Sequence, residues 1–315
     1  MMIKITDLKA GDNAIEIDLL VTGVVTGKTN GANRQAYLSL VLQDDSGTID
    51  AKLWQATNEQ IETITAGKIV RVKADVIKYN EDRQMKIVAI TVVSDKVEDQ
   101  VKYLKKAPID ADILIQQIKD IIHSFENQKI KDIVLTIFEK NQESIRIYPA
   151  ASKNHHEYVS GLVHHTVGML NVANALCVLY STLNRDLLFA GVILHDLGKI
   201  IELSGPVIPE YTLKGKLLGH ISICQAMIKQ TADELGIDDE VVTLLQHMVL
   251  SHHGKNEYGS PVLPLLKEAE MLTLVDNIDA RMNMLDKALD LVEPGEFTKR
   301  VFSLEQRSFY KPKAI

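Results

Sequence analysis

Nine of the ten histidines lie between His155 and His253, and none precedes His123. Five stretches set histidine or aspartate in apolar runs: LVHHTVGML (162–170), HDLGK (195–199), LLGHISICQ (217–225), VLSHHGK (249–255) and LTLVDNIDARM (272–282). Taken singly, such a histidine is an ordinary packed or surface residue, and such an aspartate a helix cap. Together they give the order H…HD…H…HH…D. The intervals of about 23 to 32 residues suit successive antiparallel helices that meet at one point. Imidazoles mixed with carboxylates, with positions left open, suit Mn²⁺ or Fe²⁺ better than a closed zinc site. Two such ions roughly 4 Å apart can clamp a phosphodiester and activate water. The run VILHDLGKIIEL (192–203) reads as one buried helix, and burying Asp196 and Lys199 there is costly unless something offsets their charge. Lys199 lies three residues after Asp196, on the same helix face. It is either a cation for phosphate charge or the salt-bridge partner of Asp196.

The elements that must position these residues fall in the second part of the chain. Helical spacing runs through Ala111–Phe125 and Lys129–Asn141 and on to about Leu291, interrupted by the polar loop 147–161. The first part alternates on a period of two. Residues 14–30 read as a long strand bent at Gly23, 34–54 as two strands around DDSG, 56–67 as a short helix and 69–94 as a hairpin around NEDR. Three strands, a helix and two strands are the layout of a five-stranded OB barrel, whose usual ligand is single-stranded nucleic acid stacked on aromatics beside cations. Tyr37, Trp54 and Tyr79 are the candidate stacking residues. Lys52 leads the candidate cations, with Lys28, Arg34, Lys73, Lys78 and Arg83. The expected organisation is a multidomain α and β chain. An OB-fold β-barrel (1–96) is followed by a linker and helical connector (97–146), then an all-α domain (147–315).

Bulk properties set limits. At 315 residues and a net charge of −7, the chain is no globally basic nucleic-acid binder, so a polyanion site must be local or metal-assisted. Two isolated cysteines, Cys177 and Cys224, suit a reducing cytoplasm. No leader and no membrane-spanning stretch is expected.

The second part resembles the HD superfamily of metal-dependent phosphohydrolases, named for the adjacent His-Asp pair. The resemblance places ligands at His165, His195, Asp196 and Asp276. His165 is chosen over His164 because HHT is similar to the family's His-Ser/Thr step. His220 with His252 and His253 matches the two-metal branch, in which Asp196 bridges the ions. Which of His252 and His253 ligates directly stays open, and no dedicated general base is evident.

With the OB module included, nearly the whole chain resembles the YhaM family of bacterial 3′→5′ exoribonucleases. The stretches PAASKNHHEYVSGLVHHT, HDLGK, GHI, SHHGKNEYGSPVLP and EAEMLTLVDNIDARM carry that resemblance. It implies metal-dependent removal of nucleotides from the 3′ end of single-stranded RNA, with Mn²⁺ favoured over Fe²⁺, Co²⁺ or Mg²⁺. Single-stranded DNA is a further candidate partner, and a homo-oligomer a candidate assembly. On that reading Lys153, Asn154, His155 and His156 contact the substrate phosphate or terminal ribose. Tyr258, Gly259 and Pro261 shape the nucleotide pocket, and Arg281 reaches a phosphate. Two other functions compete: an HD phosphodiesterase of cyclic dinucleotides or free nucleotides, and a single-strand-binding protein with a vestigial HD site.

Overall fold

The computed structural model describes residues 3–30, 34–80, 82–150 and 158–313. Two compact units make up the chain, one of residues 1–106 and one of nearly all of 107–315.

The first unit is a closed barrel of five strands: β1 (Ile15–Lys28), β2 (Ala36–Asp44), β3 (Gly47–Trp54), β4 (Ile69–Tyr79) and β5 (Asp82–Ser94), in the order β1-β2-β3-β5-β4. Helix α1 (Asn58–Thr63) joins β3 to β4, opened by a capping box between Thr57 and Gln60. Alternation explains the barrel. Leu38, Leu40 and Leu42 point inward from β2, Ile49, Ala51 and Leu53 from β3, and Val70, Val72, Ala74 and Val76 from β4. The bend expected at Gly23 is a register shift between Val21 and Gly23. The short α2 (Val97–Gln100) follows the last strand.

The second unit is helical: α3 (Ala111–His123), α4 (Gln128–Ile147), α5 (Gly161–Leu179), α6 (Arg185–Leu194), α7 (Lys199–Glu202), α8 (Leu213–Glu234), α9 (Glu240–Ser251) and α10 (Lys267–Leu289). Side-chain caps from Asp110, Asn127, Asn184, Thr212 and Asp239 open α3, α4, α6, α8 and α9. The helices expected as a connector, α3 and α4, put Leu114, Ile118, Ile133 and Phe138 into the same core as α5, α6 and α9.

Two expectations change. Helix α5 is, by length and composition alone, apolar enough to cross a membrane. Nine of its residues, His165 included, are buried in the fold, which accounts for that apolarity. The run VILHDLGKIIEL is not one helix. It stops at Leu194, turns through 195–198 on i→i+3 bonds such as Leu197 N to Leu194 O (3.0 Å), and resumes as α7.

Candidate metal centre and nucleic-acid platform

Three of the ligand-bearing segments are helix breaks. His195 and Asp196 follow the end of α6, and His252 and His253 follow the end of α9. His220 follows Gly219, whose φ of 72° and ψ of 156° interrupt α8. Neighbours within a continuous α-helix point about 100° apart. His195 and His252 are C-cap residues that keep right-handed φ and ψ, so each adjacent pair is presented from the end of its helix. Only His165 on α5 and Asp276 on α10 are presented from helix interiors.

The centre consists of two groups sharing one carboxylate. His165, His195 and Asp276 offer ligand atoms within 4.8 Å of one another, and so do His220, His252 and His253. Asp196 lies against both. Its Oδ2 is 3.3 Å from His195 Nε2, while its Oδ1 is 3.6 Å from His220 Nε2 and 4.0 Å from His252 Nε2. The buried Nε2 atoms of His195, His220 and His252 have no hydrogen-bond partner among the described residues. Three buried imidazole nitrogens aimed at one carboxylate carry a large cost unless a cation fills the space. The donor set therefore fits divalent ions.

Every one of these rings is fixed from behind. Nδ1 of His195 meets Val192 O (2.9 Å), that of His252 meets Val249 O (2.7 Å) and that of His253 meets Tyr258 O (2.8 Å). His165 Nδ1 meets Asp279 Oδ2 at 2.6 Å, and His220 Nδ1 meets Glu202 Oε1 at 3.1 Å. Each contact leaves Nε2 to face the centre.

Charge is tightly coupled there. Burial opposes ionisation of Asp196, but the Lys199 ammonium and the His195 imidazole hold its carboxyl well below the usual range. Asp276 is lowered too, its bond to His165 outweighing burial. Burial alone would lower His165, yet Asp276 and Asp279 push it up to about 9. His252 and His253 are lowered, first by burial, and so stay neutral and available as ligands.

Lys199 differs from the phosphate-facing reading. Its Nζ donates to Asp196 Oδ2 at 2.7 Å and to Ala150 O at 2.6 Å, so it anchors the shared carboxylate. Arg281 forms a bidentate pair with Glu305 (2.8 and 2.9 Å), and a phosphate there must displace that pair. The Tyr258 ring is exposed with Lys255 Nζ 5.4 Å from its centroid, while its carbonyl holds His253. Lys153, Asn154, His155 and His156 lie outside the described residues. His164 Nδ1 meets the Tyr158 hydroxyl at 2.7 Å.

Sequence reasoning missed Glu202 and the backing role of Asp279. The available signals were a glutamate three residues after Lys199 inside an apolar run, and an aspartate three residues after Asp276. Glycines make room for both. A Cβ on Gly168 would lie 2.3 Å from Asp279 Oδ1, and one on Gly215 2.2 Å from Glu202 O.

On the barrel, Tyr37 and Trp54 face each other across β2 and β3, ring centroids 5.1 Å apart. Lys52 Nζ sits 5.3 and 5.2 Å from their centroids. The Tyr37 ring crosses Gly27, where a Cβ would fall 2.3 Å from Tyr37 Cζ. Tyr79 is not part of this cluster. It pairs with Asp82, two residues before Gln84, whereas Trp54 lies four residues past Asp50, the partner of Gln84. That offset is roughly 20 Å along the strands. Arg83 is also committed elsewhere, donating to the carbonyls of Ile5 (3.1 Å) and Leu8.

A closed five-stranded barrel with a half-buried Tyr37 beside an exposed Trp54, followed by helices that converge histidines and aspartates, defines an OB-fold protein carrying a metal-dependent HD hydrolase domain. Family models agree: an HD domain matches residues 162–281, and an OB-fold nucleic acid binding domain matches 19–93. The chain is 48% identical over 302 residues to "3'-5' exoribonuclease YhaM" from Geobacillus sp. (strain WCH70), covering 95% of this chain and 92% of that one. The chain belongs to the YhaM family of 3′–5′ exoribonucleases. Among solved structures, the second OB-fold domain of replication protein A from Methanococcus maripaludis matches 31% of this chain and 99% of its own (20% identity, TM-score 0.26). The replication factor A related protein of Methanobacterium thermoautotrophicum matches 30% and 92% (15% identity, TM-score 0.26).

Proposed function

We propose that this chain is a two-metal 3′→5′ exoribonuclease that releases nucleoside monophosphates from single-stranded RNA, with Mn²⁺ as the favoured ion and single-stranded DNA as a second substrate. The observation that carries this reading is Asp196, with one oxygen toward the His165–His195–Asp276 group and the other toward the His220–His252–His253 group. In this reading those two groups each hold one ion and Asp196 joins them. When bound, the ions polarise the scissile phosphate and activate water. The chain's own residues do the rest. Lys199 fixes Asp196, and the backbone and carboxylate acceptors behind the imidazoles fix the rings. Tyr37, Trp54 and Lys52 provide two stacking faces and a cation for a single strand. Lys153, Asn154, His155 and His156 are assigned to the terminal nucleotide on sequence grounds.

The test is degradation of 5′-labelled homopolymer RNA with Mn²⁺, run beside a cyclic dinucleotide, for the wild type and Asp196→Ala. Stepwise 3′ shortening that disappears in the variant is expected. Hydrolysis of the cyclic dinucleotide alone, or cleavage that survives Asp196→Ala, overturns the proposal.

A further inference from the structure

The two groups differ in how their charge is supplied. The first has Asp276 and one oxygen of Asp196 beside its imidazoles. The second has three imidazoles, and among the described residues the only carboxylate in its ligand set is the shared Asp196. A further negative charge stands directly behind His220. Glu202 is buried, and its Oε1 accepts twice from that one residue, from Nδ1 at 3.1 Å and from the backbone N–H at 3.0 Å. The second bond falls where Gly219 breaks α8, so Glu202 caps the restarted helix while it orients the ring. Close approach of α7 to α8 makes this possible. Gly198 lies against His220 O, and Gly215 lies against Glu202 O, where a Cβ would come within 2.2 Å.

We propose that Glu202 is a positioning residue that sets the affinity of the second ion through His220. The inference rests on the two-metal reading above. Glu202 fixes the Nδ1–H tautomer, makes the imidazole a stronger donor, and supplies the negative charge that this group's own ligands lack. Four residues of chain, α7, thereby serve both halves: Lys199 holds Asp196 at one end and Glu202 holds His220 at the other.

The experiment is titration of chelator-stripped full-length protein with Mn²⁺ by calorimetry, and with Co²⁺ followed by its visible absorption. Wild type is expected to take two ions in separable steps. Glu202→Ala should leave the first step unchanged and weaken the second by about 10- to 100-fold. Glu202→Gln keeps an acceptor oxygen, so the Co²⁺ band of the second step should return at wild-type position with affinity still lowered about tenfold. If Glu202→Ala fails to fold, the Gln variant decides, since an unchanged second step there overturns the role. The role is also overturned if a folded Glu202→Ala keeps its second step, or loses both steps equally. A wild type that binds a single ion overturns the two-metal reading and this inference with it. Two ions with a Glu202-dependent second step, but no RNA cleavage, overturn only the nuclease reading.

Discussion

Gly198→Ala isolates how closely α7 and α8 must approach. Gly198 has φ −59° and ψ −21°, an ordinary right-handed conformation that alanine adopts freely. Backbone preference alone would make the change stabilising by about 0.5–1 kcal/mol. Space decides otherwise. The new Cβ would stand 2.1 Å from His220 O, 2.8 Å from His220 C and 2.9 Å from its Cα. These are backbone atoms of a proposed ligand, so no side chain can rotate away. Restoring ordinary contact needs a displacement of more than ~1 Å. Overpacking of this kind costs about 1–3 kcal/mol, which exceeds the gain in propensity. The displacement also carries His220 Nε2 away from Asp196 Oδ1, now 3.6 Å distant. A misplacement near 1 Å at a reacting centre costs about 100-fold in rate.

Three measurements on Gly198→Ala test this: the thermal midpoint, the Mn²⁺ isotherm, and the initial rate on 5′-labelled RNA. The expected result is a modest fall in stability, a selectively weakened second ion, and a rate down about two orders of magnitude. A variant with wild-type isotherm and wild-type rate refutes the reasoning, because the helices would then have moved without consequence for His220.

Asp279→Asn should weaken the first ion by about 10- to 100-fold and spare the second, the mirror image of Glu202→Ala, read from the same Mn²⁺ titration. Trp54→Ala or Tyr37→Ala should lower affinity for single-stranded RNA by about 1–3 kcal/mol per lost stacking face, measured by filter binding, with turnover of a dinucleotide unchanged. Burial pushes the Cys224 thiol up from an ordinary 9.0 to about 12. The folded state then keeps a proton that the unfolded chain gives up, so this stability is fully present below pH 9 and is lost as pH rises toward 12. Urea unfolding should show wild type losing up to about 1.4 kcal/mol per pH unit in that window relative to Cys224→Ala.

The histidine and aspartate positions were legible because imidazoles and carboxylates are rare inside apolar helical runs and each needs a reason to be there. The barrel was legible because Leu38, Leu40 and Leu42 alternate so regularly with outward residues. The helix end at Leu194 was not, since apolar residues continue through Leu203 and no proline or glycine stands at 192–197 to mark it. His195 itself keeps helical φ and ψ, so the change is a tightening to i→i+3 bonds over 195–198, which local composition does not mark. Glu202 was hidden for the same reason. Its partner His220 is 18 residues away, and the two hydrogen bonds between them form only because Gly198 and Gly215 let α7 and α8 pack closely. Arg281 looked available because its partner Glu305 is 24 residues distant, and Tyr79 was a stacking candidate beside Tyr37 and Trp54 because strand register cannot be read from composition.

The charges explain why two ions suit this centre better than one. Among the described residues, Asp196, Asp276, Asp279 and Glu202 bring four carboxylates to it, against the ammonium of Lys199, a net charge of −3 once every imidazole, His165 included, is neutral as a ligand. The same excess of negative charge is what pushes His165 up to about 9. One divalent ion would leave the centre at −1 and repel a phosphodiester. Two leave it at +1, matched to the single negative charge of the phosphodiester to be cut. The apolar helices around it, Leu188, Val192, Leu245 and Leu272 among them, lower the local dielectric, so an unmatched charge there has large consequences. On the two-metal reading proposed above, occupancy of the second group changes the charge that meets the phosphate, so the hold of Glu202 on His220 bears on binding the phosphate as well as on cutting it.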